Sequence, residues 1–166
     1  MEGSLARTKN SSGRKPFWET ILPEALTASQ WEALCDRCGR CCLEKLTNRR
    51  NGKVYYTSIA CALLDTASCQ CRDYRHRRRM IPQCIQLTPA NLQSCRWLPR
   101  TCAYRLLSEG KKLPVWHPLV TGNPDSVHDA GISIRGRVLH PMPPHADDLN
   151  AYIVDWDIWS KKARVE

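Results

Sequence analysis

Cys35, Cys38, Cys41 and Cys42 put four thiols into eight residues with the spacing C-x2-C-x2-C-C. A two-residue gap lets the backbone fold back so that both sulfurs face one point, which is why C-x2-C recurs in zinc and iron–sulfur sites. Cys35, Cys38 and Cys41 reproduce the first three thiols of a C-x2-C-x2-C-x3-C run, but Lys45 stands where the fourth would be. A fourth ligand would come from Cys61, Cys69, Cys71, Cys84 or Cys102. Three chemistries compete: an iron–sulfur or other iron site, a structural zinc site, and thiol exchange. Zinc sites usually pair two C-x2-C units, and the second unit is missing here. A thiol-exchange motif would sit in a βαβ context that this sequence lacks. The vicinal pair Cys41-Cys42 suits two metals, or a polynuclear cluster beside a second site, better than one tetrahedral ion.

Several other residues bear on that chemistry. Arg37 and Arg40 lie inside the thiol loop, where a guanidinium would offset thiolate charge, favour deprotonation and raise a cluster's potential. The plain alternative is two solvated surface arginines. His117 and His128 are candidate ligands or proton carriers, although a lone histidine beside proline more often packs or hydrogen-bonds. Asp65 and Asp73 are weaker carboxylate candidates. Arg75-His76-Arg77-Arg78-Arg79 reads first as an exposed basic face. Trp97, Trp116, Trp156 and Trp159 read as core aromatics before stacking platforms.

The elements that must hold these residues are short. Phe17-Trp18 is the first core anchor, and Pro23 to Leu26 a turn or short helix. Thr27 with Gln30 forms a capping box, with Trp31 and Leu34 facing inward on a helix that ends at Cys35. Gly39 turns the chain so that Cys41 approaches Cys38. Leu43 to Lys53 is polar and ends in the hairpin signal Asn51-Gly52, before a strand from Val54 to Ile59. An extended Cys69-Gln70-Cys71 would place both thiols on one face. Arg72 to Arg79 is helical in propensity. Thr88-Pro89 opens another helix, and Thr101 caps a third from Cys102 to Glu109 that Gly110 closes. Trp116-His117-Pro118-Leu119 lies in a loop, Gly131 to Val138 is expected as a strand, and Tyr152 to Trp159 fits helix or strand. The expected class is α+β: an α-rich, small, irregular single domain with few short strands, organised around a cysteine cluster.

At 166 residues one domain is the default. Residues 1–15 read as a disordered basic tail and 16–166 as the cysteine-cluster domain, with 136–166 a loosely packed extension. The chain has no apolar run long enough to span a membrane, and its N-terminus lacks the apolar core of a secretory signal. The expected compartment is therefore the reducing cytoplasm, where ten cysteines serve as metal ligands or redox thiols. The net charge of +9 suits an acidic protein partner, or neutralisation of a thiolate-rich centre, more than nucleic acid. There is no phosphate-binding glycine loop, dinucleotide fingerprint or hydrolase triad.

Beyond the octapeptide, further phrases carry a family likeness. They include Pro16-Phe17-Trp18, Ala60-Cys61, Cys69-Gln70-Cys71, Leu87-Thr88-Pro89, Trp97-Leu98-Pro99, Thr101 through Leu107, Trp116-His117-Pro118-Leu119 and Ile132-Ser133-Ile134-Arg135. Over most of residues 16–136 the chain resembles the bacterial YcgN group within the YkgJ-type cysteine-cluster proteins, described as zinc- or iron-chelating. A distant relative of the cluster, in a bacterial flagellin lysine methylase, is associated with an iron–sulfur centre. The resemblance implies a ligand set of Cys35, Cys38, Cys41, Cys42, Cys61, Cys69, Cys71, Cys84 and Cys102. Cys95 falls outside that pattern and reads as a small core residue or spare thiol. The expected cofactor is an iron–sulfur cluster or iron, with zinc as the alternative. The role is redox or assistance to a partner protein; a zinc-stabilised interaction module and a metal-dependent oxidoreductase are the other readings. No catalytic residue is implied.

Overall fold

Three small apolar cores lie side by side, joined by the thiol loop. The structure is a computed structural model, and it describes residues 15–139 and 148–156. The expected basic tail lies outside the described residues except for Lys15, and so do Pro141 to Pro144 and the end of the C-terminal segment. The fold is α+β, with short helices and two small antiparallel sheets.

The first core is helical. α1 (Phe17–Thr20) and a 3-10 turn (Pro23–Ala25) lead into α2 (Ala28–Ala33). Thr27 caps α2 as expected: its hydroxyl accepts from the Gln30 N–H (3.2 Å), and Gln30 Oε1 accepts from the Thr27 N–H (2.9 Å). The cap satisfies donors that a helix start leaves orphaned. Leu34, fully buried, meets Leu92, Cys95, Leu98, Tyr104 and Leu113. Tyr104 locks the contact by donating its hydroxyl to the Trp31 carbonyl (2.9 Å). The Thr88-Pro89 helix is a 3-10 segment (Pro89–Ser94), with Asn91 Oδ1 accepting from the Thr88 N–H (2.9 Å). The helix after it, named α4 below, begins one residue later than expected, with Cys102 as the cap.

The second core is built on a hairpin. β1 (Leu43–Thr47) pairs antiparallel with β2 (Val54–Ala60), with an irregularity between Leu43 and Lys45. The polar stretch after the thiols thus contains a strand that its composition hid. The turn is wider than a two-residue Asn-Gly hairpin: the Asn48 N–H donates to the Lys53 carbonyl (2.8 Å) around residues 49–52. β3 (Leu64–Asp65) pairs antiparallel with β4 (Gln70–Cys71). Leu43, Leu64, Cys69, Ile134 and Trp156 fill the space between these pairs. Leu139 and Val154 bond along β2, at Ser58 and Tyr56 respectively. The guanidiniums of Arg40 (5.6 Å) and Arg137 (5.5 Å) both make cation–π contacts with the Trp156 ring.

The remaining helices are single turns, apart from α4. α3 (Arg77–Met80) is all that forms of the expected basic helix. α4 (Ala103–Ser108) closes at Gly110 (φ +65°), where the Gly110 and Lys111 N–H groups bond back to Leu107 and Leu106. α5 (Pro118–Thr121) starts at His117, inside the stretch expected to be loop. α6 (Ser126–Asp129) precedes Ile132 and Ile134, which are fully buried. Gly131 to Val138 is turn rather than strand. Its polar groups go to the thiol loop: the Ile134 N–H donates to the Cys38 carbonyl (2.9 Å), and Arg40 Nε donates to the Ile132 carbonyl (2.7 Å).

Candidate metal centre

All ten cysteines are free thiols. Leu34 ends α2, and the chain turns sharply through Arg37 (φ +59°) and Gly39 (φ +75°) before a 3-10 turn (Arg40–Cys42) runs into β1. Gly39 is required twice over. Its φ disfavours other residues, and an added Cβ would stand 2.6 Å from Ile134 Cγ1. The turn carries Cys38 into the third core, with Val127 and Ile132. It then splits the vicinal pair, leaving Cys41 on the first core and Cys42 on the second. The two Sγ atoms are 3.9 Å apart.

Distant cysteines arrive at each side of this split. Cys102, the cap of α4, packs on the first core as Cys41 does. Burial, opposed by the N–H groups of Arg105 and Tyr104, pushes its thiol up to about 12, and Cys41 and Asp36 add to the push. Burial also raises the Cys38 thiol, reinforced by Asp36, Cys41 and Cys102. Cys35 sits at the exposed rim, yet desolvation is the main force raising its thiol, followed by Cys41, Asp36 and Cys102. Cys35, Cys38, Cys41 and Cys102 are therefore neighbours.

On the other side, the Cys61 N–H donates to the Cys42 carbonyl (2.8 Å), and the Leu64 N–H donates to the Cys61 carbonyl (2.9 Å). Leu64 pairs with Cys71 across β3 and β4. Burial raises the Cys61 thiol, and Cys71 and Cys84 raise it further. Cys84 follows α3, its N–H donating to the Ile81 carbonyl (2.9 Å).

Cys69 does not share a face with Cys71. Its φ is +56°, so the expected extended C-x-C is a left-handed corner, and Cys69 is buried in the second core. Desolvation raises its thiol, partly offset by Arg135 and by the Ile134 and Arg135 N–H groups. Cys95 is buried in the first core, consistent with a packing residue.

The sulfurs are met by main-chain donors. The Arg37 N–H favours the Cys35 thiolate, the Arg40 N–H that of Cys38, and the Leu63 N–H that of Cys61. Each lies two residues past its cysteine. Hydrogen bonds of this kind orient thiolate ligands and tune the metal they hold. The Arg37 and Arg40 contribution seen here is thus an amide; the Arg40 side chain is buried against Ile132 and Trp156. His117 is fully buried, with Nδ1 accepting from the Leu119 N–H (3.1 Å) and Nε2 donating to the Leu34 carbonyl (3.2 Å). Burial lowers its pKa, opposed by Asp36 and the Leu34 carbonyl, and one nitrogen accepting while the other donates is the pattern of a neutral ring. His128 meets the Ser133 hydroxyl through Nδ1 (2.7 Å).

Two residues not singled out as ligands or charge partners belong to the site. Asp36 is buried; Oδ1 accepts from the Cys38 N–H (3.0 Å), and Oδ2 is buried with no hydrogen-bond partner. Lys45 folds back over the vicinal pair, donating to the Cys41 and Leu43 carbonyls (2.6 Å each). The hydrogen bond from Cys42 holds the Cys41 thiol below its usual range, helped by Lys45, while Cys42 is pushed up as the donor. The clue to both lay in sequence position: Asp36 inside the first C-x2-C, Lys45 where a fourth cysteine would stand.

The donor set is soft and sulfur-rich, with an orphan carboxylate oxygen, and it fits zinc or iron. Among the described residues, no three His, Cys, Asp or Glu side chains are already gathered as a single-ion site. These features define a cysteine-cluster chelating domain, and the comparisons agree. Residues 34–103, which contain all ten cysteines, match the family described as "CxxCxxCC: Putative zinc- or iron-chelating domain". A UPF0260 protein of Rhizorhabdus wittichii is 51% identical over 144 residues, covering 87% of this chain and 97% of its own. One from Azotobacter vinelandii is 53% identical over 140 residues (84% and 94%), and one from Rhodopseudomonas palustris 46% over 158 residues (94% and 93%). The chain belongs to the UPF0260 family. No solved structure matches it. No helix among the described residues is long and apolar enough to cross a membrane.

Proposed function

We propose that this protein holds an iron–sulfur cluster or iron through its clustered cysteines and serves a redox or partner-assisting role in a reducing cytoplasm. The observation that carries the reading is the arrival of Cys102 and Cys61, from separate elements, beside the two halves of the octapeptide. Main-chain N–H groups at Cys35, Cys38 and Cys61 support it, because they partly offset the burial that disfavours the thiolate form a metal requires. Iron–sulfur is favoured over zinc by the C-x2-C-x2-C spacing. Cys35, Cys38, Cys41, Cys42, Cys61, Cys71, Cys84 and Cys102 are the candidate ligands, and such a cluster supplies one-electron chemistry. Lys45 and the amide donors offset the thiolate charge. The basic, partly apolar segment with Tyr74, Arg77, Arg78 and Met80 is a face for an acidic protein partner.

Anaerobic purification followed by iron, sulfide and zinc analysis and a visible spectrum tests this. A brown protein with sulfur-to-iron absorption that dithionite bleaches is the expected result. Colourless protein with stoichiometric zinc and no redox response would instead make it a zinc-stabilised interaction module. A metal-dependent oxidoreductase gains nothing from His117, whose two ring nitrogens are both taken by the main chain.

A further inference from the structure

We propose that residues 72–86 form the docking surface for an acidic protein segment that carries aliphatic side chains of its own, seated beside Cys71 and Cys84. This rests on the partner-assisting role above and adds the extent of the contact, the chemistry of the partner and the side chains that select it.

Charge and apolar exposure coincide in this one stretch. Arg72 to Arg79 holds five arginines against one aspartate, a net +4 of the chain's +9. Two of the five are engaged: Arg72 reaches Asp65 (4.0 Å), and the Arg77 guanidinium lies over the Tyr74 ring (3.7 Å) and donates to the Tyr74 carbonyl. Arg75, Arg78 and Arg79 are exposed and make no ion pair among the described residues. Such guanidiniums match a carboxylate with a two-pronged hydrogen bond. Three of the eight exposed large apolar side chains among the described residues fall in the same stretch: Tyr74, Met80 (56% exposed) and Ile85 (50%). The other five are scattered from Leu22 to Ile153, so this is where apolar and cationic groups are offered together.

The stretch holds its shape without a partner. The Arg72 N–H donates to the Leu63 carbonyl (2.8 Å), the Tyr74 hydroxyl to the Glu32 carboxylate beside it on α2 (3.0 Å), and Asn91 Nδ2 to the Gln86 carbonyl (2.8 Å). A surface shaped in advance gives up less freedom on binding. Cys71 and Cys84 bracket it and are both partly accessible, so a partner seated here lies beside two of the candidate ligands.

Acidic protein fits this surface better than other polyanions. Arg77 already covers the Tyr74 ring, and Met80 and Ile85 offer no ring on which a base could stack. α3 is a single turn, too short to lie along a duplex groove or to float as an amphipathic helix on an anionic bilayer. Methionine and arginine together are instead the composition of protein contact surfaces.

The test uses the full chain, purified anaerobically, with metal per chain measured alongside. The probes are a fluorescein-labelled peptide of Glu and Asp bearing two leucines, the same peptide with serine for leucine, a single-stranded RNA of equal charge, and phosphatidylserine vesicles. Wild type should bind the leucine peptide more tightly than the serine peptide, and added salt should weaken both. Arg75→Glu/Arg78→Glu/Arg79→Glu should lose about tenfold or more in affinity for either peptide. Met80→Ser/Ile85→Ser should lose about fivefold for the leucine peptide and nothing for the serine peptide. Arg49→Glu/Arg50→Glu/Lys112→Glu reverses as many exposed charges elsewhere and should lose about twofold or less. All these side chains are exposed, so the variants keep the fold, which far-UV circular dichroism checks. If the Arg49, Arg50 and Lys112 variant loses as much as the arginine variant, only net charge is at work and the docking surface falls. It falls too if RNA or vesicles bind more tightly than the peptides through the same arginines, or if the Met80 and Ile85 variant binds both peptides as wild type does. If metal-loaded wild type binds neither peptide, the surface falls and the chelating role stands. If wild type takes up no metal while the peptide pattern holds, the chelating role falls and the surface stands.

Discussion

The thiols beside the first core and those beside the second are held by different kinds of structure. Cys35 follows the end of α2 and Cys102 caps α4 on a core of Leu34, Leu98 and Tyr104, while the turn between carries Cys38 into the third core. Cys42, Cys61 and Cys71 sit at the end of a hairpin and on a ladder whose strands are two residues long. The first neighbourhood carries a buried carboxylate, Asp36, whereas in the second it is the exposed Glu44 that, after burial, disfavours the Cys61 thiolate. Helix ends position a thiol rigidly and supply N–H donors without a ligand. A two-residue ladder gains its order from whatever else joins its ends. The second neighbourhood should therefore depend more on bound metal for its structure than the first.

The strongest way to break this comparison is to hollow out each core in turn. Leu34→Ala and Leu64→Ala each remove a side chain that is essentially fully buried, and each should cost about 2–5 kcal/mol. Urea melts of metal-loaded and metal-free protein check the asymmetry. Leu64→Ala should lose much more of its stability on chelation than Leu34→Ala, and equal losses would end the contrast. Next comes Gly39→Ala, which meets Ile134 and a left-handed φ together and should cost about 2 kcal/mol or more. It should also lower metal content, because the turn that brings Cys41 toward Cys38 is disturbed; an unchanged melting temperature would show that the turn relaxes freely.

A pH series sharpens the contrast between free and ligated thiols. Cys102, Cys38 and Cys61 are raised above the unfolded thiol value, so in metal-free protein they contribute stability that is full below about 9. That contribution is lost as pH climbs, up to about 12 for Cys102, because the unfolded chain releases its protons first. Cys41 runs the other way. The metal-free melting temperature should fall above pH 9, and loaded protein, whose sulfurs are already deprotonated, should not show that fall. The smallest effect is expected from Thr27→Ala. Loss of the capping box should cost about 1 kcal/mol by thermal melting and leave the Cys84 side of the site untouched.

Local grammar carried much of the first neighbourhood. The Thr27–Gln30 box, the inward Leu34, the Gly39 turn and the Gly110 stop are all written within a few residues of where they act. The strand at Val54 to Ala60 was legible from its β-branched and aromatic residues. β1 was not, because Glu44 and Lys45 interrupt its alternation and Lys45 turns back across the sheet. Cys69 misled for a different reason. C-x-C predicts a shared face only on extended backbone, and contacts with Ile134 and Arg135, far along the chain, hold it in a left-handed corner instead. Gly131 to Val138 has the composition of a strand but spends its hydrogen bonds on Cys38 and Arg40, so no ladder forms. The division between Cys41 and Cys42 depends on which core each side chain reaches, and no spacing rule encodes that.

The wide turn at residues 49–52 is solvent-facing, and its Gly52 has open space around it. It is tied off behind by the Asn48–Lys53 bond and, at the far end of the hairpin, by the bond between Cys61 and Cys42. A fluorophore, affinity tag or surface tether grafted at Asn51 would thus be insulated from the sulfurs by the whole length of the ribbon, giving a handle for immobilising the protein under anaerobic electrochemistry without touching what the electrode is meant to read.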